Sequence, residues 1–222
     1  MGIDAILVPR GAEFQAVQRS CRNGPPVLAV PAGPALASYL EALPAHVNWK
    51  RVLLMGLCGS LAARYAVGDV VLYRACVSPS GQTALCDLEL RTALARVLPA
   101  GTAQVVALTS PTVVAQAEQK RLWRKQSGAE VVDMEGQVAQ RILAGRGIAV
   151  GMVRVVSDDS EHDLPDLKAA FDAQGDLQPL ALAWALLRSP VAGARLVQGS
   201  LKSLQVLEQV ARGLAQAWED SA

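Results

Sequence analysis

The stretch VVDMEGQVAQRIL, residues 131–143, joins a short apolar run to a helical pattern. The valines are typical of a buried strand, and the second half carries one apolar helix face made of Val138, Ala139, Ile142 and Leu143. Asp133, Met134 and Glu135 therefore lie at the junction of a strand and a helix. Acids stabilise a helix N-terminus by roughly 0.3–1 kcal/mol each, whereas ligands of α/β sheets bind beyond the carboxyl ends of strands. Glu135 is thus either a helix cap or a group that faces a ligand.

The same alternation of apolar runs and helical patterns extends over much of the chain. Short β-rich runs predict strands at residues 3–9, 26–31, 51–57, 69–77, 103–109, 129–134 and 148–157. Helical patterns lie between them at residues 11–20, 33–43, 88–98, 113–126 and 136–146. Most predicted strands are apolar at successive positions, which is typical of strands that are buried on both faces. The alternation predicts an α/β fold with a parallel or mixed sheet between helices.

The character of the sequence changes after Pro165. Segments 176–190 and 194–218 have helical patterns. The second carries an apolar stripe made of Val197, Leu201, Leu204, Leu207, Val210, Leu214 and Trp218. Such a stripe packs on the rest of the chain or on another subunit; the few basic residues argue against a membrane surface. We predict an α/β domain over residues 1–165 and C-terminal helices over residues 166–222 that pack on the same domain.

Composition excludes several classes of function. The chain has 222 residues, 51% of them hydrophobic, and a net charge of +1, so neither nucleic acid nor an anionic membrane is an expected partner. No apolar run is long enough to span a membrane, and the N-terminus lacks the pattern of a secretion signal. The 4 cysteines lack metal-ligand spacing, which predicts reduced thiols in a cytoplasmic protein. The only histidines, His46 and His162, argue against a metal site or a Ser-His-Asp triad.

A second group of polar residues follows another predicted strand, in VRVVSDDSEHDLP at residues 153–165. A buried arginine needs a partner, so Arg154 predicts a carboxylate nearby. Ser157 and Asp158 lie where this strand ends, and we expect its end and that of the strand before Glu135 to be adjacent. The small-residue stretch that contains Gly56, MGLCGSL, would let a ligand approach the backbone. These strand ends are predicted to share one pocket.

Three motifs in this order carry a resemblance to a known family. GLCGSLAARYAVGDVV, VVDMEG and VRVVSDD resemble the nucleoside phosphorylase and nucleosidase superfamily, over roughly residues 3–165. That family includes purine nucleoside phosphorylases and methylthioadenosine/S-adenosylhomocysteine nucleosidases. The resemblance implies a three-layer fold in which helices flank a central mixed, twisted sheet, with a helical C-terminal extension. The segment LQPLALAWALLRSP is loosely similar to hopanoid-associated phosphorylases.

The resemblance also implies roles for individual residues. Met134 would pack against the sugar, and Glu135 would accept hydrogen bonds from its 2′- and 3′-hydroxyls. Asp158 would be the general acid to the purine N7, with Ser157 orienting it and Arg154 holding the charge network. Cleavage of an N-glycosidic bond leaves a cationic sugar and an electron-rich base. A positioned acid can protonate the electron-rich base, and a nearby carboxylate can stabilise the cationic sugar.

The choice between water and phosphate as the nucleophile depends on other positions. The phosphate-binding Arg and Ser or Thr of family phosphorylases fall here on Leu54 and Leu57, which argues against phosphorolysis; related nucleosidases also tend to have Ser at the latter position. In family nucleosidases a carboxylate after the first strand activates water, and Glu13 is the acid available there. If Phe14 occupied that position instead, the nucleophile site would be apolar. Arg10 could alternatively approach an anion, which leaves phosphorolysis open.

We therefore predict an N-glycosyl hydrolase that acts on a purine nucleoside, with or without a modified 5′ position, and uses neither metal nor organic cofactor. The alternatives are a nucleoside phosphorylase, including the adenosyl-lipid type, and a catalytically silent nucleoside-binding protein. A homodimer or higher homo-oligomer in the cytoplasm is expected. The basic stretch KRLWRK, which begins at Lys120, is interpreted as a solvated helix face, and His162 as a surface residue.

Overall fold

A computed structural model describes residues 2–22, 24–44, 47–167, 170, 172 and 178–219. Within these ranges the strands are β1 (Ala5–Pro9), β2 (Val27–Val30), β3 (Arg51–Ser60), β4 (Val70–Val77), β5 (Thr83–Leu85), β6 (Ala103–Thr109), β7 (Val131–Asp133) and β8 (Ala149–Asp158). The helices are α1 (Ala12–Ser20), α2 (Ala35–Glu41), α3 (Leu88–Val97), α4 (Ala117–Ser127), α5 (Gly136–Gly145), α6 (Pro179–Arg188) and α7 (Pro190–Glu219). His46 and the first two residues of segment 176–190 lie outside the described residues.

The strands form one mixed sheet in the order β2-β1-β3-β7-β6-β4-β5, and β8 pairs with both β3 and β4. As a result β3, β8, β4, β6 and β7 pair in a closed ring. The strands before Glu135 and Asp158, β7 and β8, do not pair with each other. Their ends meet on β3 instead, since Gly59 is in register with Val132 on one side and Asp158 on the other.

Two apolar layers cover the two faces of the sheet, as the unbroken apolar strands predict. Successive residues of β3 point to opposite layers: Val52 and Leu54 pack with α2 and α5, whereas Leu53 and Met55 pack with α1, α3 and α7. All four of these side chains are fully buried. The predicted α/β architecture, with a mixed sheet between helices, is therefore confirmed.

The long helix α7 packs against α1 and β8. Its stripe is buried in the C-terminal half, at Leu207, Val210, Leu214 and Trp218, whereas Val197 and Leu201 are exposed. Ser203 Oγ donates a 2.6 Å hydrogen bond to the carbonyl oxygen of Val156, so the helix also holds the last residues of β8. No helix in the described part of the chain is long and apolar enough to cross a membrane.

Two local predictions differ from the structure. The helix predicted from residue 113 begins at Ala117, because residues 110–116 form a loop whose Ser110 N–H donates to the carbonyl oxygen of Asp133. The strand β5 was not predicted. It has 3 residues, two of them exposed, and pairs only with β4 at the end of the sheet order, so its sequence lacks an apolar run.

Candidate active site

A cavity of about 210 Å³ lies where the ends of β3, β7 and β8 meet. Its walls include five of the seven site residues predicted from the sequence, namely Glu13, Met134, Glu135, Ser157 and Asp158. Arg154 and Gly56 do not line the cavity but contact residues that do. The predicted strand ends thus share one cavity, to which α1 contributes Glu13 from its first turn.

Arg154 is the positive centre beneath this cavity, and its side chain is fully buried. Its Nη2 lies 3.2 Å from Glu135 Oε2 and 3.5 Å from Asp133 Oδ2. The prediction that a carboxylate accompanies this arginine is therefore confirmed. Removing one member of a buried ion pair costs about 3–5 kcal/mol, because the remaining charge is left without compensation.

The two acids at the start of α5 have different tasks. Glu135 occupies the N-cap position, but its side chain makes no capping hydrogen bond. Asp133 does this instead, with both carboxylate oxygens within 3.2 Å of the Gly136 nitrogen. Glu135 Oε1 accepts a 2.8 Å hydrogen bond from the N–H of Gly33. The helix-cap interpretation of Glu135 is therefore wrong, and its carboxylate faces the cavity.

Thr109, at the end of β6, fixes the orientation of Asp133. Its Oγ1 donates a 2.8 Å hydrogen bond to Asp133 Oδ1 and accepts one of 2.8 Å from the N–H of Gln137. Asp133 thereby bonds with two neighbouring elements as well as Arg154. The sequence contains no periodic signal for this contact, because the two side chains are 24 positions apart.

Glu13 is partly buried, and its Oε2 accepts a 2.7 Å hydrogen bond from the N–H of Leu57. Withdrawal from water raises the pKa of Glu13 to about 7; Arg154 opposes this rise and the nearby Glu135 adds to it. A carboxylate that titrates near neutral pH is suited to accept a proton from water. Glu13, rather than Phe14, lines the cavity, since Phe14 packs against the apolar layer.

Burial also raises the pKa of Glu135. Arg154 opposes this rise in pKa and Asp133 adds to it. The hydrogen bond from the N–H of Gly33 favours the charged form and also opposes the rise. Among the described residues, Arg154 is the one cation that forms ion pairs with Asp133 and Glu135. Its proximity to Glu135 favours the charged form of that carboxylate.

Asp158 accepts hydrogen bonds on both carboxylate oxygens. Ser157 Oγ lies 2.9 Å from Oδ1 and 3.2 Å from the carbonyl oxygen of Cys58, so its proton serves these two acceptors. Lys120 Nζ forms an ion pair with Oδ2 and also donates to the carbonyl oxygen of Asp159. The side chain of Lys120 is 0% exposed, so the interpretation of this residue as part of a solvated helix face is wrong.

Sequence reasoning also missed Lys120 as a residue of this site. On α4 it follows the buried Ala117 by three positions, which places both on one helix face. This is the only local signal for its burial. The helix is rich in charged residues, and its apolar face is too short to show which lysine turns inward.

Two glycines of β3 make room for two of the cavity acids, Glu13 and Asp158. A side chain at Gly56 would place its Cβ 2.4 Å from both Glu13 Oε2 and Arg154 Nη1, and the φ of +154° there also favours glycine. A Cβ at Gly59 would lie 2.8 Å from Asp158 Oδ2. The register of β3 against β8 shifts between Cys58 and Gly59, so an irregularity in the pairing lies next to the site.

The family profile described as Phosphorylase superfamily matches residues 8–188. The chain belongs to the phosphorylase superfamily. The predicted family and its three-layer fold are therefore confirmed. Members of the superfamily cleave glycosidic bonds of nucleosides, as nucleosidases or phosphorylases. A comparison with curated proteins finds no significant match to the sequence.

Solved structures with the same fold include two enzymes of Helicobacter pylori. The 5′-methylthioadenosine/S-adenosylhomocysteine nucleosidase, with bound butyl-thio-DADMe-Immucillin-A, is 15% identical, with a TM-score of 0.74 over 100% of this chain and 99% of that one. Futalosine hydrolase is 14% identical, with a TM-score of 0.73 over 96% and 97%. The methylthioadenosine/S-adenosylhomocysteine nucleosidase of Campylobacter jejuni is 13% identical, with a TM-score of 0.63 over 94% and 100%. At these identities the likeness shows a common fold.

In this member of the phosphorylase superfamily, the positions considered for phosphate binding are apolar. Leu54 is fully buried in the layer with α2 and α5. Leu57 lines the cavity, and its N–H is already bonded to Glu13. Arg10 is exposed after β1 and does not line the cavity. No lysine or arginine is found among the described residues of the cavity wall.

Proposed function

We propose that this protein is a nucleosidase, which uses water to cleave the N-glycosidic bond of a purine nucleoside. The observation that supports hydrolysis is Glu13, a carboxylate with a pKa raised to about 7, in a cavity wall that contains no cation among its described residues. A phosphate dianion requires positively charged or N–H donors, and Glu13 and Glu135 would repel it. Water meets no such obstacle and can give a proton to Glu13.

The sugar would lie against Met134 and Glu135. Each Glu135 oxygen already accepts one protein hydrogen bond, from Gly33 or Arg154, and each retains a second lone pair for a ribose hydroxyl. As the bond breaks, positive charge develops on the sugar ring. The negative charge of Glu135 stabilises that charge at a fixed distance, and Arg154 keeps the carboxylate in place.

In the proposed reaction one bond to C1′ breaks and another forms. The C1′–N9 bond breaks with its electron pair on the base, and the base is protonated at N7 by Asp158. A water oxygen bonds to C1′, while Glu13 takes one proton of that water. The products are a free purine and a sugar with a hydroxyl at C1′, and the two acids exchange one proton through solvent.

A phosphate-dependence assay tests this proposal. The protein is incubated with methylthioadenosine, adenosylhomocysteine, adenosine or inosine, with and without inorganic phosphate, and the free base is measured. Equal base release in both conditions supports hydrolysis, and strict dependence on phosphate contradicts it. Binding without release identifies a silent nucleoside-binding protein. The Glu135→Gln variant should remain folded and lose most turnover; near-normal turnover contradicts its assigned role.

The same proposal includes a cytoplasmic homo-oligomer. All four cysteines are free and buried, which supports a reducing compartment. The side chains of Leu180, Trp184 and Leu187 on α6 are exposed, and such a patch supports association between copies of the chain. Light scattering coupled to size-exclusion chromatography measures the mass in solution; a monomer at micromolar concentration contradicts the oligomer.

A further inference from the structure

We propose that Lys120 is a positioning residue that acts through Asp158, and that its ammonium group supplies the proton delivered to the leaving base. This inference rests on the proposed nucleosidase function. The proposed function leaves open where the proton for the leaving base comes from. In an ion pair with a lysine, Asp158 is a carboxylate, and a carboxylate has no proton to give.

The contacts of Lys120 suit this role. Its side chain is fully buried, whereas Asp158 lines the cavity, so the lysine lies behind the acid and can reach the base only through it. The hydrogen bonds described for Nζ go to Asp158 Oδ2 and to the carbonyl oxygen of Asp159. Both acceptors belong to the segment that ends β8, so the ammonium group is directed at the site rather than at its own helix.

Stability alone gives a poor account of this arrangement. A buried ion pair rarely stabilises a protein more than well-packed apolar residues would, because both charges must leave water. Ser157 already holds Oδ1 of the same carboxylate, so both oxygens of Asp158 have donors and its orientation is fixed. The lysine adds to this an exchangeable proton that is shielded from solvent.

The proton transfer takes place in two steps. First, a proton moves from Lys120 Nζ to Asp158 Oδ2, which gives a neutral amine and a neutral carboxyl group. Then the carboxyl group gives this proton to N7 while the C1′–N9 electron pair moves onto the base. The pair is left as an amine and a carboxylate, and the amine regains a proton from solvent through Asp158 after the base departs.

Two variants and two substrates test the role of Lys120. Lys120→Arg keeps the positive charge, but a guanidinium does not release a proton in proteins. Lys120→Met has similar length and no charge. Each variant is assayed with the purine nucleoside that the wild type cleaves fastest and with 4-nitrophenyl β-D-ribofuranoside, whose leaving group departs as a stable anion without protonation.

We expect both variants to lose on the order of 10²–10⁴-fold in kcat with the purine nucleoside and less than about threefold with the nitrophenyl riboside. Equal losses with both substrates identify Lys120 as structural and overturn the proposal. Normal turnover of the purine nucleoside in Lys120→Arg contradicts the proposal that Lys120 supplies the proton. If the wild type itself releases no purine, the proposed function fails before the role of Lys120 is at issue.

A double variant covers the case in which the single variants do not fold. Lys120→Met combined with Asp158→Asn removes both charges, so neither group is left buried without a partner. Because Lys120 acts through Asp158, the double variant should cleave the purine nucleoside as fast as Asp158→Asn alone. A further tenfold loss in the double variant overturns the proposal.

Discussion

Glu13 and Asp158 line the same cavity, next to two glycines of the same strand, but they have different partners. Glu13 accepts a hydrogen bond from the N–H of Leu57, a neutral donor, and its withdrawal from water raises its pKa to about 7. Asp158 instead forms an ion pair with the buried Lys120. Burial without a cationic donor thus distinguishes Glu13 from Asp158, which has a lysine partner, and this difference supports the proposal that Glu13 takes up a proton while Asp158 delivers one.

Replacing Glu13 tests the proton-accepting side of this comparison and should have the largest effect. Glu13→Gln keeps the shape of the side chain but cannot take a proton from water. We expect kcat to fall by up to about 10⁴-fold with both the purine nucleoside and the nitrophenyl riboside, because both reactions need the water. Steady-state kinetics measures this loss.

The matched control for that variant is Glu89→Gln, which replaces an exposed acid in the first turn of another helix. It should keep wild-type rates. A loss confined to the purine substrate in Glu13→Gln would assign Glu13 to the leaving group and contradict the comparison.

Replacing Asp158 should affect only one class of substrate. In Asp158→Asn, kcat with the purine nucleoside is expected to fall on the order of 10²–10⁴-fold, whereas hydrolysis of the nitrophenyl riboside should stay within about threefold. The neighbouring Asp159→Asn, whose side chain bonds to His162, serves as the control. Unchanged purine turnover in Asp158→Asn would remove this residue from the mechanism.

Arg154 is the counter-ion of Asp133 and Glu135, and its removal should lower the free energy of unfolding. Arg154→Met leaves Asp133 and Glu135 buried without a cation, so the free energy of unfolding should fall by about 3–5 kcal/mol in urea denaturation. Arg212→Met removes an exposed ion pair with Glu208 and should change it by less than about 1 kcal/mol. Similar losses in both variants would contradict the buried network.

The dependence of kcat and of stability on pH is expected to show the smallest effect. In the proposed mechanism the water step requires ionised Glu13, so kcat for the nitrophenyl riboside should fall about tenfold per pH unit below about pH 7. The raised pKa acts on stability in the opposite sense. Folding disfavours the ionised form of Glu13 and favours the protonated form. The resulting contribution to the free energy of unfolding is therefore present at low pH and is lost as pH rises through about 7. Glu13→Gln should remove that loss in thermal unfolding; an unchanged loss contradicts the assignment.

Much of the fold could be predicted from the sequence, because strands and helices have local periods. The run at residues 51–57 is apolar at every position except Arg51 and Gly56, and the structure buries it between two helical layers. The three-residue β5 could not be found in this way. It has an exposed edge position, and its conformation depends on pairing with β4 rather than on its own residues.

Part of the site could also be predicted. A lone arginine in an apolar strand requires a carboxylate, and Arg154 has two. Lys120 could not be predicted, since a lysine in a charged helix is usually solvated and only packing shows that this one is buried. The distinction between Asp133 as cap and Glu135 as cavity residue likewise depends on contacts with Thr109, Gly33 and Arg154.

By itself, the sequence determined the order of strands and helices, the family and most acids of the cavity, because these follow from local periodicity and from motifs of a few residues. Only the tertiary structure decided which partner each acid has. Lys120 and Asp158 are 38 positions apart, and Glu13 and Leu57 are 44 apart. Burial and hydrogen bonding between such distant residues set the charge of a carboxylate, and neither exists until the sheet and its two helical layers are assembled.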